Sequence, residues 1–203
     1  PSSVSYNAIF IRAGGFKAGA YATVYGGGPI GLTAIALLKA AGAAKVIAFE
    51  TVEARRKICS VMGADHVFDP VALVKQGTSP GQVVLDLTKG EGADFQFEAA
   101  GAPALTIPEM EKSLAVSGKV VQVGRAAERV PMYLEAFQVR RSQFFGSQGH
   151  SGDEIFPNVI RLMASGAIDT RKMITARYTL EQAVDAIKRS GSRTDGKIMV
   201  KPS

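Results

Sequence analysis

A glycine-rich turn between residues 26 and 31 constrains the fold of this chain more than any other feature of its sequence. Gly26, Gly28 and Gly31 have the spacing G-x-G-x-x-G. The turn directly follows the apolar run Tyr21–Tyr25 and leads into a helix-like segment that begins at Pro29. A strand that passes through such a turn into a helix is typical of the first unit of a parallel α/β sheet.

Each glycine of the turn has a mechanical role in holding a phosphate. Gly26 permits the tight turn, Gly28 lets the backbone approach a pyrophosphate, and Gly31 lets the helix pack close to the strand. The free amides and the dipole at the helix start attract phosphate charge. The predicted cofactor contacts of the turn are Gly26, Gly28, Pro29, Ile30 and Gly31. Since the chain has 22 glycines, an ordinary turn is the alternative interpretation.

Two hydrophobic periodicities alternate along the first three quarters of the chain. Strand-like runs are Tyr21–Tyr25, Lys45–Phe49, His66–Phe68, Asp94–Glu98, Lys119–Val123 and Gln143–Phe145. Helix-like segments are Pro29–Ala41, Val52–Met62, Pro80–Thr88 and Pro103–Leu114. The strands are nearly all apolar, as in a parallel sheet covered on both faces. The pattern predicts an α/β fold, a doubly wound parallel six-stranded sheet (Rossmann) with strand order 3-2-1-4-5-6.

Caps and a C-terminal segment complete the predicted secondary structure. Gly42 and Gly63 follow the first two helices, where a left-handed cap is needed, and Thr51 is placed to cap the second. After residue 147 the pattern predicts a C-terminal helical segment and a closing strand. Its elements are a helix from Asp153 to about Ala164, a helix over Leu180–Lys188 and a strand over Lys197–Lys201.

An acidic residue ends the second predicted strand. Glu50 lies 19 residues after Gly31, close to the spacing expected for the acid that binds the adenosine ribose. Its charge would repel a 2′-phosphate, so NAD is favoured over NADP. The alternative role for Glu50 is that of an acid which stabilises the N-terminus of the following helix. Arg55 could stack on adenine or tolerate a 2′-phosphate. The alternative for Arg55 and Arg56 is a pair of solvated helix charges.

Composition sets the broad class of protein. The chain has 203 residues, of which 46% are hydrophobic and 21% charged, so it is long and apolar enough for a full core and is not disordered. It has no apolar window long enough for a membrane span, and Arg12 and Lys17 interrupt any signal-peptide region. The single cysteine, Cys59, favours the reducing cytoplasm. The net charge of +6 lies in short clusters, which favours an anionic small ligand over nucleic acid.

The few soft ligands argue against a metal site in this chain. One cysteine and two histidines exclude a four-cysteine zinc site. Cys59 lies inside the second predicted helix, His66 begins the third strand and His150 follows the sixth. In the predicted order those two strands are opposite edges, roughly 24 Å apart. The histidines are therefore predicted to be structural or surface residues, with no metal ligand and no catalytic residue in the chain.

An ordered set of motifs resembles the coenzyme domain of the zinc-dependent medium-chain dehydrogenases, which include alcohol, sorbitol and threonine dehydrogenases. The motifs are Gly26–Gly31 with Glu50, Met62–Asp69, Gly92–Gly101, Ser117–Gly124, Leu162–Asp169, Thr179–Ala183 and Gly196–Pro202. The stretch Ala136–Gly152 further resembles scyllo-inosose-type polyol dehydrogenases. The likeness covers nearly the whole chain.

This resemblance implies further cofactor contacts. Ala99 and Ala100 would lie near the adenosine, and Val123 and Gly124 beside the nicotinamide ribose. Phe145 would present its backbone to the carboxamide, and Arg193 lies near the place of a pyrophosphate-binding arginine, with different local spacing. Core or surface packing is the alternative for each of these residues.

The resemblance also implies what this chain lacks. The family's enzymes carry their zinc ligands and proton relay on a separate N-terminal barrel-like (GroES-like) domain. In the polyol branch a Glu ligand directly precedes the proline that corresponds to Pro1. Residues 1–203 are therefore expected to be a single NAD(P)-binding domain with a flanking N-terminal helix. The parent enzyme would oxidise a small-molecule alcohol or polyol with zinc held in the missing domain, and this chain alone would be inactive.

Two other functions and one assembly remain open at this stage. A stand-alone dinucleotide-sensing module would also bind NAD. A methyltransferase also uses a Gly-rich turn and an acid, but its seventh, reversed strand is not predicted here. The sixth strand, Gln143–Phe145, is predicted to be a sheet edge with two exposed phenylalanines. Because open edges pair readily, a homodimer or tetramer through this edge is expected.

Overall fold

A computed structural model describes residues 1–202 of the chain. Six parallel strands form one sheet in the order β3-β2-β1-β4-β5-β6, which confirms the predicted fold class. Their bounds are β1 Tyr21–Tyr25, β2 Lys45–Phe49, β3 His66–Phe68, β4 Ala93–Glu98, β5 Leu114–Gln122 and β6 Gln143–Gly146. No strand of this sheet runs in reverse within residues 1–202, so the methyltransferase alternative finds no support.

Helices cover both faces of the sheet. They are α1 Ser2–Tyr6, a π-helical turn Asn7–Arg12, α2 Pro29–Ala40, α3 Glu53–Val61, α4 Pro70–Lys75, α5 Pro80–Leu87, α6 Pro103–Lys112, α7 Leu134–Arg140, α8 Ile155–Ala164, a 3₁₀ turn Thr170–Met173 and α9 Ala183–Ser190. The short helices α4 and α7 were not predicted. None of the helices within residues 1–202 is long and apolar enough to cross a membrane.

Residues of single strands alternate between two hydrophobic clusters, which explains why the strands read as continuous apolar runs. In β2, Val46 and Ala48 belong to one cluster and Ile47 and Phe49 to the other, and each is at most 2% exposed. The first cluster includes α2, and the second includes side chains from α5 and α6. Burial on both faces is what a helix-covered parallel sheet requires.

The C-terminal segment differs from the prediction. Residues Ile174–Thr179 form a strand, β7, which pairs in parallel with β8, Lys197–Lys201. Helix α9 connects the two, so this segment is a small β-α-β unit. Thr179 ends β7 and does not cap a helix. The two predicted helices and the closing strand are present as α8, α9 and β8, whereas β7 was not predicted; its alternating burial is that of a strand with one packed face.

Two of the three predicted caps are confirmed. Gly42 and Gly63 have φ of +94° and +107°, which a residue with a Cβ rarely adopts. Thr51 does not cap α3, whose N-terminal residue is Glu53 after the extended Val52. The Glu50 side chain binds the residues before this helix, since its Oε1 accepts hydrogen bonds from the Val52 amide and the Thr51 hydroxyl.

Candidate functional site

The glycine turn at the end of β1 is fixed by close contacts at two of its three glycines. Gly26 has φ of +98°, and a Cβ at this position would lie 2.7 Å from the Ala100 nitrogen. At Gly31 a Cβ would lie 1.8 Å from the Gly26 carbonyl oxygen. Both positions therefore exclude a side chain for reasons of packing. These contacts bring the start of α2 against the carboxyl end of β1, as the motif predicts.

Gly28 is different, because nothing in the protein prevents a side chain there. A Cβ on Gly28 would meet no atom within 4 Å. Its φ of −73° and ψ of 178° are open to any residue. The space in front of Gly28 lies at the N-terminus of α2, a helix of 12 residues. An open space at such a helix start fits a phosphate group.

The start of α2 supplies the amides for that space. Pro29 occupies the first helical position, as predicted, and has no N–H. The amides of Ile30 and Gly31 lie in the first turn, where no intrahelical acceptor exists. The Ile30 carbonyl accepts a hydrogen bond of 2.8 Å from the Ser5 hydroxyl, which also contacts the Thr33 hydroxyl. Helix α1 thus holds α2 in place behind the turn.

Glu50 is part of the turn as well as the end of β2. The residue is 7% exposed. Its Oε2 accepts a hydrogen bond of 2.6 Å from the Gly27 amide, and its Oε1 accepts one of 2.8 Å from the Val52 amide. The carboxylate is therefore held in one orientation by two backbone donors, and its negative charge lies beside the open space at Gly28.

Gly27 is a contact that the sequence motif does not reveal. A Cβ on Gly27 would lie 2.8 Å from the Cys59 sulfur and 3.0 Å from Glu50. Cys59, on α3, is fully buried. Burial, with the Glu50 charge as a second cause, raises the pKa of its thiol to about 12. Cys59 is therefore a neutral packing residue under the turn.

The two arginines of α3 have protein partners, so their interpretation as solvated charges was wrong. Arg55 is half-buried, and its Nε donates to the carbonyl of Asp195 at 3.0 Å. Arg56 donates from Nη1 to the carbonyls of Glu50 and Thr51. The hydrogen bond of Arg55 thus uses its Nε, whereas Arg56 is turned back on the loop after β2.

A second carboxylate organises the loops after β4 and β5. Glu98 is fully buried and accepts hydrogen bonds from the Ala100 and Gly101 amides at 3.1 and 3.0 Å and from Gln122 Nε2 at 2.8 Å. Burial raises the pKa of its carboxyl group. A Cβ on Gly124 would lie 2.3 Å from Glu98 Oε2. The predicted contacts Ala100 and Gly124 are thereby brought together, and Ala100 touches Gly26.

Sequence reasoning missed Glu98, although a signal for it exists. An acid that ends an otherwise apolar, doubly covered strand needs donors, and the Ala-Ala-Gly that follows offers backbone amides without side-chain obstruction. Val123 lies directly beyond the end of β5, and its amide donates to the Glu98 carbonyl at 3.0 Å. The structure therefore places Gly26, Ala100, Val123 and Gly124 in one connected edge of the sheet.

The remaining predicted residues lie further along this edge or outside it. Phe145, on β6, is half-buried and packs against the core, so the prediction that both phenylalanines of this strand are exposed was wrong for Phe145. Phe144 is 39% exposed. Arg193 is an exposed residue with φ of +55° in the turn between α9 and β8.

The loop that carries Arg193 packs against α2 and α3. Asp195 is 7% exposed and pairs with Arg189 through both carboxylate oxygens, at 2.8 and 2.9 Å. The Thr175 hydroxyl donates to the same carboxylate at 2.6 Å. A Cβ on Gly196 would lie 3.2 Å from Leu32 of α2. The loop is therefore a packed part of the structure beside α2 and α3.

The residues present do not fit a zinc site. Among residues 1–202 no three His, Cys, Asp or Glu side chains come together as a metal-binding group. His66 begins β3 at the amino end of the sheet, and His150 lies beyond β6 with its ring edge-on to Phe156 at 5.9 Å. His66 thus lies on one edge strand of the sheet and His150 follows the opposite edge strand, as predicted. No chemical step through zinc is therefore assigned to this chain's own residues.

This fold and this edge define a class of protein. The family described as Zinc-binding dehydrogenase matches residues 29–165, from the first helical residue of the glycine turn to the end of α8. The matched residues are more than half of the chain and include Glu50, Glu98 and Gly124. The chain belongs to the zinc-binding dehydrogenase family.

The curated relatives that this chain matches are dehydrogenases. Scyllo-inosose 3-dehydrogenase of Thermotoga maritima is 46% identical over 193 residues, which are 93% of this chain and 47% of the relative. L-threonine 3-dehydrogenase of Bacillus licheniformis is 32% identical over 199 residues, which are 97% of this chain and 55% of the relative. The chain thus spans about half the length of the curated relatives it matches.

Solved structures agree with the fold. One from Thermotoga maritima superposes with a TM-score of 0.91 at 43% identity and covers 99% of this chain and 51% of its own. A zinc-binding dehydrogenase from Sinorhizobium meliloti 1021, bound to NADP, has a TM-score of 0.77 at 28% identity and covers 92% of this chain and 53% of its own. An Escherichia coli CFT073 alcohol dehydrogenase, complexed with NADH, shares the fold at 22% identity with a TM-score of 0.83. The match covers 98% of this chain and 56% of that enzyme's chain.

The different surroundings of two glycines predict different effects on stability. Gly31→Ala is expected to lower the free energy of unfolding by about 3 kcal/mol, because its methyl group would overlap the Gly26 carbonyl. Gly28→Ala is expected to change it by less than about 0.5 kcal/mol, since its φ is ordinary and its surroundings are open. Urea unfolding followed by circular dichroism measures both. Equal losses for the two variants would contradict this description of the turn.

Proposed function

We propose that the chain is the coenzyme-binding part of a medium-chain alcohol or polyol dehydrogenase and that it binds NAD along the carboxyl edge of its six-stranded sheet. One observation carries the proposal. Gly28 has no packing reason to be glycine, yet it lies between two glycines that do, at the start of α2. A pyrophosphate held by the Gly28, Ile30 and Gly31 amides accounts for that residue.

The other predicted residues have consistent roles along this edge. The adenosine ribose would lie at Glu50, whose carboxylate is already oriented by Gly27 and Val52 and would accept from the ribose hydroxyls. The Nη groups of Arg55 would face the adenosine or pyrophosphate. Ala100, Val123 and Gly124 would line the path to the nicotinamide, the Phe145 backbone would hold its carboxamide, and Arg193 would approach the pyrophosphate from its loop.

Glu50 also supports NAD over NADP. A 2′-phosphate on the ribose would bring negative charge beside a carboxylate that is only 7% exposed and therefore poorly screened by water. Because structures of this fold are known with NADH and with NADP, the comparisons leave the choice of coenzyme open. The charge at Glu50 is the feature of this chain that favours NAD.

The rest of the reaction would come from a part of the enzyme outside these residues. When bound, nicotinamide accepts or donates hydride, and the protein orients it. The chain would supply that orientation and the phosphate and ribose contacts, with no catalytic acid or base. A separate N-terminal domain would hold zinc and most of the pocket for a small alcohol or polyol. Cys59, buried and without a disulfide, is consistent with the cytoplasmic location inferred from the sequence.

Coenzyme binding tests the proposal through Gly28. We expect the wild-type chain to enhance the fluorescence of NADH with saturation, and Gly28→Ala to weaken this binding at least tenfold, because a methyl group would occupy the space proposed for the pyrophosphate. The unfolding free energy of the variant serves as the control for an intact fold. Equal NADH affinity of the wild type and Gly28→Ala would refute a pyrophosphate at this position.

The Glu50 role is tested by comparing two coenzymes. Glu50→Gln removes the charge and keeps one of the two acceptor oxygens, so the free energy of unfolding of the variant is measured beside it as the control for an intact turn. NADH affinity is expected to fall about threefold to tenfold, since hydrogen bonds to a charged acceptor are the stronger ones. NADPH affinity should fall less or rise, so the preference for NADH narrows. Titrations with both coenzymes measure the ratio, and an unchanged ratio would contradict contact with the ribose.

We also propose that two copies pair along the β6 edge. The edge presents Phe144, which is 39% exposed and packs edge-on against Phe137 of α7, and the same helix carries Val139 and Leu134, which are 63% and 73% exposed. Apolar side chains next to an unpaired strand favour strand pairing with a second chain.

Sedimentation measures this pairing. Phe144→Asp is expected to shift a dimer to a monomer, while Leu105→Asp, at an equally apolar exposed position on α6, is expected to leave the dimer intact. A wild-type chain that sediments as a monomer at every concentration tested would refute the pairing, as would a dimer that Phe144→Asp leaves unchanged.

A further inference from the structure

The residue that follows β3 bears on which coenzyme the site accepts. Asp69 lies directly after Phe68, at the carboxyl edge of the sheet, and its Oδ2 pairs with Arg56 Nη1 at 3.1 Å. The two side chains are only 26% and 22% exposed. Arg56 is otherwise bound to the carbonyls of Glu50 and Thr51, at 2.9 and 2.6 Å. The guanidinium is thus fixed in the same loop that carries the Glu50 carboxylate.

Asp69 is itself immobile, so the ion pair is a rigid one. Its second oxygen, Oδ1, caps helix α4 and accepts hydrogen bonds from the Val71 and Ala72 amides at 2.9 and 3.3 Å. A carboxylate held by a helix cap cannot follow Arg56 if that side chain moves. Arg56 would therefore have to leave a fixed partner before it could serve another anion.

The neighbouring basic residues of α3 have partners outside the loop that carries Glu50. Arg55 donates to the Asp195 carbonyl at 3.0 Å, and Lys57 pairs with Glu53 at 2.9 Å. Arg56 is the member of this group that binds the loop next to Glu50. A 2′-phosphate on a ribose held at Glu50 would need a cation at this loop. Arg56 is the cation bound to the loop, and Asp69 neutralises it.

We propose that Asp69 is a specificity-determining residue, which disfavours a 2′-phosphorylated dinucleotide by neutralising and holding Arg56. The proposal rests on the dinucleotide site proposed above and adds a residue that does not touch the coenzyme. In this arrangement Glu50 repels the 2′-phosphate directly. Asp69 acts through Arg56, by removing the positive charge that could compensate for Glu50.

Asp69→Asn tests this with a matched control. Asparagine keeps the cap on α4 but loses the charge. Asp65→Asn removes the same charge at the other end of β3, where Asp65 pairs with Lys39 at 3.0 Å and also accepts a backbone amide, that of Val46. Both variants change the net charge equally. NADH and NADPH share a fluorophore, so the same titration measures both.

Asp69→Asn is expected to bind NADPH roughly fivefold more tightly than the wild type, with NADH affinity unchanged within about twofold. Asp65→Asn should leave both affinities unchanged. Adding Arg56→Gln to Asp69→Asn should abolish the gain, because the gain comes from Arg56.

Two results would overturn the inference, and they are distinguishable from a failure of the proposed function. Normal NADH binding together with equal NADPH affinities for Asp69→Asn and Asp65→Asn would overturn the role of Asp69 alone. A gain that persists in the Arg56→Gln double variant would show a general charge effect and would overturn it too. A wild-type chain that binds neither coenzyme, although folded, would refute the dinucleotide site and this inference with it.

Discussion

The hydrogen bond between the Gly27 amide and the Glu50 carboxylate, 2.6 Å long, is the interaction on which the site depends. It joins the turn after β1 to the end of β2 and fixes both around the open space at Gly28. A carboxylate that accepts backbone amides in a nearly dry position is a strong, charge-assisted contact. The same group that shapes the phosphate turn would also face the ribose, so the site's geometry and its electrostatics have a common source.

Glu98 has the corresponding role on the other side of β1, at the end of β4. It collects the amides that follow β4 and the Gln122 side chain at the end of β5, and Gly124 and Gly101 close around it. Two buried carboxylates, Glu50 and Glu98, therefore hold the loops on either side of β1. Because β1 lies between β2 and β4, these two loops flank the crevice at its carboxyl end. Ligands of open α/β sheets bind in such a crevice.

Much of this architecture could be predicted from the sequence because its signals are local. The apolar runs gave all six strands of the main sheet and their order, and Gly26 and Gly31 are glycines for the reasons that the motif implies. The partner of Arg55 could not be predicted, since Asp195 lies 140 residues away along the chain and only the packed fold brings the two together. The strand β7 was missed because its partner β8 lies on the far side of a helix. Gly27 was missed because its neighbour Cys59 is distant in sequence.

The central claim is that the amides at the start of α2 receive a dinucleotide pyrophosphate. The most direct measurement is a heteronuclear NMR titration of the ¹⁵N-labelled chain with NADH. We expect the amide signals of Gly28, Ile30 and Gly31 to shift most. Smaller shifts are expected for the amides of Gly27 and Val52, because both donate to the Glu50 carboxylate that would bind the ribose. Saturation with NADH that leaves these amides unmoved, or shifts confined to another surface, would contradict it.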